Sequence, residues 1–122
     1  MTFWLIDDDK SALRLNKVMI QKTISSSEIH TFLNPEQAFF RMSTLDPNDW
    51  PDIILLDINM PEMSGWELVK QLEEMNSEST TRVYMVSASN DPEEKEMSKN
   101  FRLVKGFISK PVSPQIITEH IT

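Results

Sequence analysis

At four places in this chain an apolar run gives way to a charged or hydroxyl side chain. Asp7 and Asp8 follow Phe3 to Ile6, Asp57 follows Ile53 to Leu56, Ser87 follows Val83 to Val86, and Lys110 stands just beyond Phe107 and Ile108 in "GFISKP". Brought together, the three carboxylates would raise one another's pKa and destabilise the fold. A divalent cation removes that cost. An all-oxygen donor set without sulfur suits a hard ion such as Mg²⁺. One lysine, Lys110, can pair with a carboxylate and with an incoming phosphate. In that company Asp57 becomes a nucleophile toward phosphorus, forming an acyl phosphate. Metal and lysine would spread the charge of the transferring group, and Ser87 could donate a hydrogen bond to it.

Residues this far apart meet only if the elements between them bring the ends of the apolar runs together. Five such runs stand out: Phe3 to Ile6, Ile29 to Leu33, Ile53 to Leu56, Val83 to Val86, and Phe107 with Ile108. Those at 3–6 and 53–56 are apolar without alternation, as in strands buried on both faces. Between the runs, Ala12, Leu15, Val18 and Met19 repeat at helical spacing, as do Ala38, Met42 and Leu45, and again Leu68, Leu72 and Met75. Asn34-Pro35, Asp91-Pro92 and Ser113-Pro114 each place a capping oxygen before a proline suited to a first helical turn. Gln37, Glu94 and the pair Ser64 and Glu67 sit where capping boxes form, and Asp9 or Ser11 can cap the first helix.

The order is β-α repeated five times, which predicts an α/β chain: a single doubly wound domain with a five-stranded parallel sheet and five helices on its two faces. In open parallel sheets ligands gather at the carboxyl ends of the strands. Asp7, Asp8, Asp57, Ser87 and Lys110 all fall at that one edge. The segment Asp46 to Pro51 reads as a polar loop rather than a domain boundary.

Composition agrees with this reading and narrows the partners. The 122 residues amount to one domain, with no cysteine for a disulfide or a thiolate metal site. A formal charge of -7 and no evident basic face argue against a nucleic-acid binder. No stretch approaches a membrane span, and no basic-then-apolar leader precedes Asp7, so a cytoplasmic protein is expected.

Asp-Asp after the first strand, Asp57 within D-I-N-M-P, Ser-Ala after the fourth strand and Lys-Pro after the fifth together resemble a response-regulator receiver domain of two-component signalling. The resemblance runs from Phe3 to Ile121 and implies a flavodoxin-like (βα)5 fold like that of the chemotaxis regulators. It implies that Asp57 takes a phosphoryl group from a phosphohistidine on a sensor histidine kinase or a histidine phosphotransfer protein. Mg²⁺ would be held by Asp7, Asp8, Asp57 and the backbone carbonyl of Asn59. Lys110 would bind a phosphoryl oxygen, Ser87 would move toward the phosphate, and Phe107 would swing inward behind it. By the same resemblance the Lys110–Pro111 bond is cis, Asn59 and Ser89 line the pocket mouth, and the fourth helix, fifth strand and fifth helix form the output surface for an unknown downstream protein. The expected organisation is one receiver domain over residues 1–122 with no output domain. No enzyme activity is expected beyond catalysis of its own phosphorylation and dephosphorylation.

Two departures and several plainer readings accompany this. The family more often has threonine where this chain has Ser87, and often tyrosine at Phe107. Asp9 reads as a helix cap rather than a ligand. Trp4 and Trp50 read as packing residues, while Trp66 is expected near the site as a fluorescence reporter. His30 and His120 read as surface or structural. A haloacid-dehalogenase-like phosphohydrolase also uses an aspartate nucleophile with Mg²⁺, but wants an acid where Asn59 stands. A receiver-like module that works without phosphorylation would be expected to lose some acids or the lysine. "DINMPEMSGWEL" fails as an EF-hand loop, because Glu62 sits where glycine is needed and Pro61 replaces a ligand.

Overall fold

Residues 53–56 offer water no polar side chain, and the strand they form, β3 (Ile53–Asp57), is buried along its whole length in a computed structural model that describes residues 1–89 and 91–121. It lies at the centre of a five-stranded sheet. The others are β1 (Thr2–Ile6), β2 (Glu28–Phe32), β4 (Arg82–Ser87) and β5 (Val104–Ser109), in the order β2-β1-β3-β4-β5. Every pairing is parallel. Helices α1 (Lys10–Thr23), α2 (Pro35–Thr44), α3 (Gly65–Met75) and α4 (Pro92–Ser98) make the crossovers, and α5 (Pro114–His120) follows the last strand. The Asp46 to Pro51 loop contains a single 3-10 turn, Pro47–Asp49. The expected architecture is the observed one.

Alternate residues of the central strands feed two cores. Trp4, Ile6, Ile54, Leu56, Val83 and Met85 pack with α2 and α3 through Ala38, Met42, Leu68, Val69 and Leu72. Phe3, Leu5, Ile53, Leu55, Tyr84 and Val86 pack with α1 and α5 through Leu13, Ile20, Ile117 and Ile121. Burying such side chains contributes about 2 kcal/mol apiece, which is what holds the sheet between its two helical layers. Trp4 and Trp50 are core residues, the Trp50 indole N–H donating to the Met42 carbonyl at 3.1 Å.

Helix starts follow local chemistry. Asn34, Asp91 and Ser113 cap α2, α4 and α5 with proline in the first turn, Ser64 accepts from the Glu67 N–H, and Asp9 rather than Ser11 caps α1. Two details differ from the sequence expectation. The buried line of α1 is Leu13, Asn16 and Ile20, whereas Leu15 and Val18 face solvent. A polar residue in the middle of the inward stripe disguises it, and four apolar residues beside it imitate a stripe. The capping box at α4 is not closed by Glu94: the Asp91 N–H donates to Ser89 Oγ, and the Glu94 carboxylate is turned to Ser87.

Candidate functional site

Asp7 is carried one residue past β1, where its N–H still donates to the Phe32 carbonyl at 3.1 Å and so extends the ladder. This backbone tie fixes the side chain at the sheet edge, 3 % exposed. Asp7 Oδ1 accepts the Asp9 N–H at 2.9 Å, while Asp9 is occupied with capping α1. Asp8 stays exposed. Asp57 is the last residue of β3 and is 6 % exposed, its backbone paired with Val86 and its Oδ1 accepting the Asn59 N–H at 3.3 Å. Lys110, beyond β5, is tied in by its N–H donating to the Ser87 carbonyl at 2.8 Å. The Lys110–Pro111 bond is cis, as the resemblance implied.

These ladder ends bring the expected residues into one cluster. One carboxylate oxygen each from Asp7, Asp8 and Asp57 lies within 4.8 Å of the others. The Lys110 ammonium stands 3.0 Å from Asp7 Oδ2 and 3.7 Å from Asp57 Oδ1. It therefore leans on Asp7 and leaves the Asp57 carboxylate the less neutralised of the two. Burial pushes the Asp57 carboxyl up to about 6 from its ordinary 3.8, and the neighbouring Asp7 charge adds to the rise; Lys110 and the Asn59 N–H act against it. For Lys110, desolvation acts to lower the pKa, but its hydrogen bond to Asp7 and the charges of Asp7, Asp57 and Asp9 together raise it above the ordinary lysine value.

Ser87 and Asn59 are tied to this cluster by backbone hydrogen bonds with Lys110 and Asp57. Ser87 ends β4, fully buried, with its Oγ accepting the Ser89 N–H at 3.0 Å and donating to Glu94 Oε2 at 3.4 Å. Asn59 and Ser89 are exposed, at the loops that leave β3 and β4. Phe107 in β5 is half-buried beside the α2–α3 core, with the Lys95 ammonium 5.9 Å above its ring. Trp66, in the first turn of α3, stacks on Phe101 at 5.6 Å between ring centroids and 17° between planes. His30 pairs with Glu28 at 3.2 Å on the surface, and His120 is exposed at the end of α5.

Three residues matter here that sequence reasoning did not place at the site. Gly65 opens α3 so close to β3 that a Cβ there would lie 2.6 Å from the Asp57 carbonyl oxygen and 2.9 Å from Met85 Cε. Its N–H donates to the Ile58 carbonyl at 2.8 Å, locking helix to strand end. The signal was present, since Gly65 is one of only two glycines in the chain. Glu94, which reaches Ser87, was marked only as a capping-box residue, and Lys95, which reaches Phe107, carries no mark in an otherwise charged helix.

Known proteins of similar sequence and structure point one way. The chain is 28% identical over 117 residues to the chemotaxis protein CheY1 of Helicobacter pylori, covering 96% of this chain and 91% of that protein. It is 32% identical over 114 residues to the nitrate/nitrite response regulator protein NarL of Escherichia coli, covering 93% of this chain and 50% of that longer protein. A two-component response regulator from Cytophaga hutchinsonii superposes with a TM-score of 0.86 at 30% identity, covering 97% of this chain and 91% of the other. Vibrio cholerae CheY4 shares the fold at a TM-score of 0.80, with 24% identity over 97% of this chain and 92% of that one. From residue 3 to residue 122 the chain matches the response regulator receiver domain, and it belongs to that family.

Proposed function

We propose that Asp57 accepts a phosphoryl group from a phosphohistidine of a sensor histidine kinase or a histidine phosphotransfer protein, and that the face made by α4, β5 and α5 passes the change to a downstream protein. The observation that carries this reading is the convergence of Asp7, Asp8 and Asp57 within 4.8 Å, with the Lys110 ammonium at 3.0 and 3.7 Å from two of them. An acyl phosphate forms when an Asp57 carboxylate oxygen bonds to phosphorus as the phosphorus–nitrogen bond breaks, the electron pair leaving with the imidazole.

The donor set fits Mg²⁺: all oxygen, crowded, and with the Asp57 carboxyl raised to about 6 by its burial and by the neighbouring Asp7 charge. Asp7, Asp8, Asp57 and the Asn59 carbonyl would hold the ion, which supplies positive charge to the transferring oxygens. Lys110 binds a phosphoryl oxygen, and Ser87 donates its hydroxyl proton to another. Phe107 then moves inward from its half-buried position. Asn59 and Ser89 line the mouth through which water reaches the acyl phosphate. A shift from mostly inactive to mostly active requires roughly 5 kcal/mol of differential stabilisation.

In this reading residues 1–122 are a single receiver domain working in the cytoplasm, with no nucleic-acid or membrane partner of its own and no turnover beyond its own phosphorylation and dephosphorylation. Intact-mass spectrometry after incubation with acetyl phosphate and Mg²⁺ tests it. One phosphoryl group per chain is expected, lost in Asp57→Asn and lost in EDTA. Labelling that persists in Asp57→Asn would sink the assignment, and steady turnover of a phosphate ester in place of stoichiometric labelling would favour the hydrolase reading.

A further inference from the structure

The Ser87 hydroxyl is already spoken for. Its oxygen accepts the Ser89 N–H at 3.0 Å, and its single proton is directed at Glu94 Oε2, 3.4 Å away on α4. A serine hydroxyl has one proton to donate. Glu94 and a phosphoryl group on Asp57 therefore cannot both receive it. Glu94 is well placed to compete, since it sits in the first turn of α4 but does not close the capping box there: the Asp91 N–H is satisfied by Ser89 Oγ at 3.1 Å. The next residue, Lys95, holds its ammonium 5.9 Å above the Phe107 ring. The two side chains by which α4 reaches Ser87 and Phe107 are thus neighbours in sequence.

We propose that Glu94 is a positioning residue that holds the Ser87 hydroxyl in the unphosphorylated domain, so that phosphoryl binding must displace it and in doing so loosens α4. This rests on Asp57 being the phosphoacceptor. When the phosphoryl oxygen takes the Ser87 proton, Glu94 loses its partner in β4 and α4 loses one of its ties to the sheet. The same exchange makes Glu94 a brake on the active state.

Titration with beryllofluoride and Mg²⁺, followed by ¹⁹F NMR, tests the brake. Glu94→Ala is expected to bind this phosphoryl mimic roughly two- to tenfold more tightly than the wild-type chain, the span that one net hydrogen bond covers. Glu94→Gln keeps a weaker acceptor and falls between the two. In a Ser87→Ala background the Glu94→Ala gain disappears, because no hydroxyl remains to be held. Equal affinity in Glu94→Ala and wild type overturns the proposal. So does a gain of the same size in the Ser87→Ala background, which would assign the effect to the Glu94 charge alone. Wild-type binding that Asp57→Asn abolishes keeps the phosphoacceptor reading intact whichever way the Glu94 variants fall, whereas no binding by the wild-type chain overturns both.

Discussion

Helices α3 and α4 both depart from strand ends that carry site residues, yet they are attached by different forces. Leu68, Val69 and Leu72 bury α3 against the sheet, and Gly65 brings its first turn into backbone contact with β3 behind Asp57. No residue of α4 is buried. It reaches the sheet through polar contacts, the Glu94 bond to Ser87 and the Lys95 ammonium over Phe107, while its exposed Lys99–Glu96 pair at 3.2 Å lies within the helix and its cap. One net hydrogen bond and one exposed cation–π contact contribute about 1 kcal/mol each. Asp57, the proposed phosphoacceptor, thus sits on a part of the molecule that costs much to deform, and the element beside the Ser87 hydroxyl is attached where little energy moves it. One sheet edge serves both needs because the apolar residues go to α3 and the charged ones to α4.

The largest expected effect is on packing. Leu68→Ala should lower stability by about 2–5 kcal/mol in urea denaturation, whereas Met97→Ala on α4, already 42% exposed, should stay within about 0.5 kcal/mol. Comparable losses in the two variants would erase the contrast. Gly65→Ala comes next, at about 1–3 kcal/mol, because the atom nearest the new methyl is the Asp57 backbone carbonyl oxygen, which cannot yield as the Met85 side chain beside it can. Mg²⁺ affinity should fall with it, as the Asp57 backbone must shift; unchanged affinity in calorimetry would show that α3 does not position the carboxylate.

Charge at the site gives a third effect. Asp57 holds its proton more tightly folded than unfolded, about 6 against 3.8, so the metal-free fold loses stability as pH rises through that window. Asparagine carries no such cost. In EDTA, Asp57→Asn should be more stable than wild type by about 1–2 kcal/mol at neutral pH, with the gap closing below about pH 4. Thermal melts at the two pH values check it, and an equal gap at both would remove the buried Asp57 charge as the cause. Smallest is Lys95→Ala, a loss of about 0.5–1 kcal/mol. Hydrogen exchange should quicken in α4 and stay unchanged in α3; protection lost from both would mean the two helices open as one unit.

How much of this could be read beforehand follows from what each signal depends on. Uninterrupted apolar runs at 3–6 and 53–56 announce buried strands because no other placement keeps them from water. Asn34, Asp91 and Ser113 before proline announce helix starts because capping is local. The site residues were legible for a related reason: in a parallel sheet the residue after each strand lies at the same edge. The inward face of α1 was not legible, since Asn16 breaks the apolar stripe that marks it. Glu94 was misread for a like reason. Its spacing from Asp91 satisfies the capping-box pattern, and only the position of Ser87 shows the stronger claim on its carboxylate.

Sequence alone determined the element order, the sheet edge where chemistry gathers, and the identity of Asp7, Asp8, Asp57, Ser87 and Lys110 as its members, because periodicity, capping and strand ends are short-range properties. Tertiary structure alone decided that Lys110 leans toward Asp7, that Gly65 abuts the Asp57 backbone, and that the Ser87 proton goes to Glu94. The Lys110 choice is one of 3.0 Å against 3.7 Å, and only the packed sheet with its helices in place sets contacts that finely.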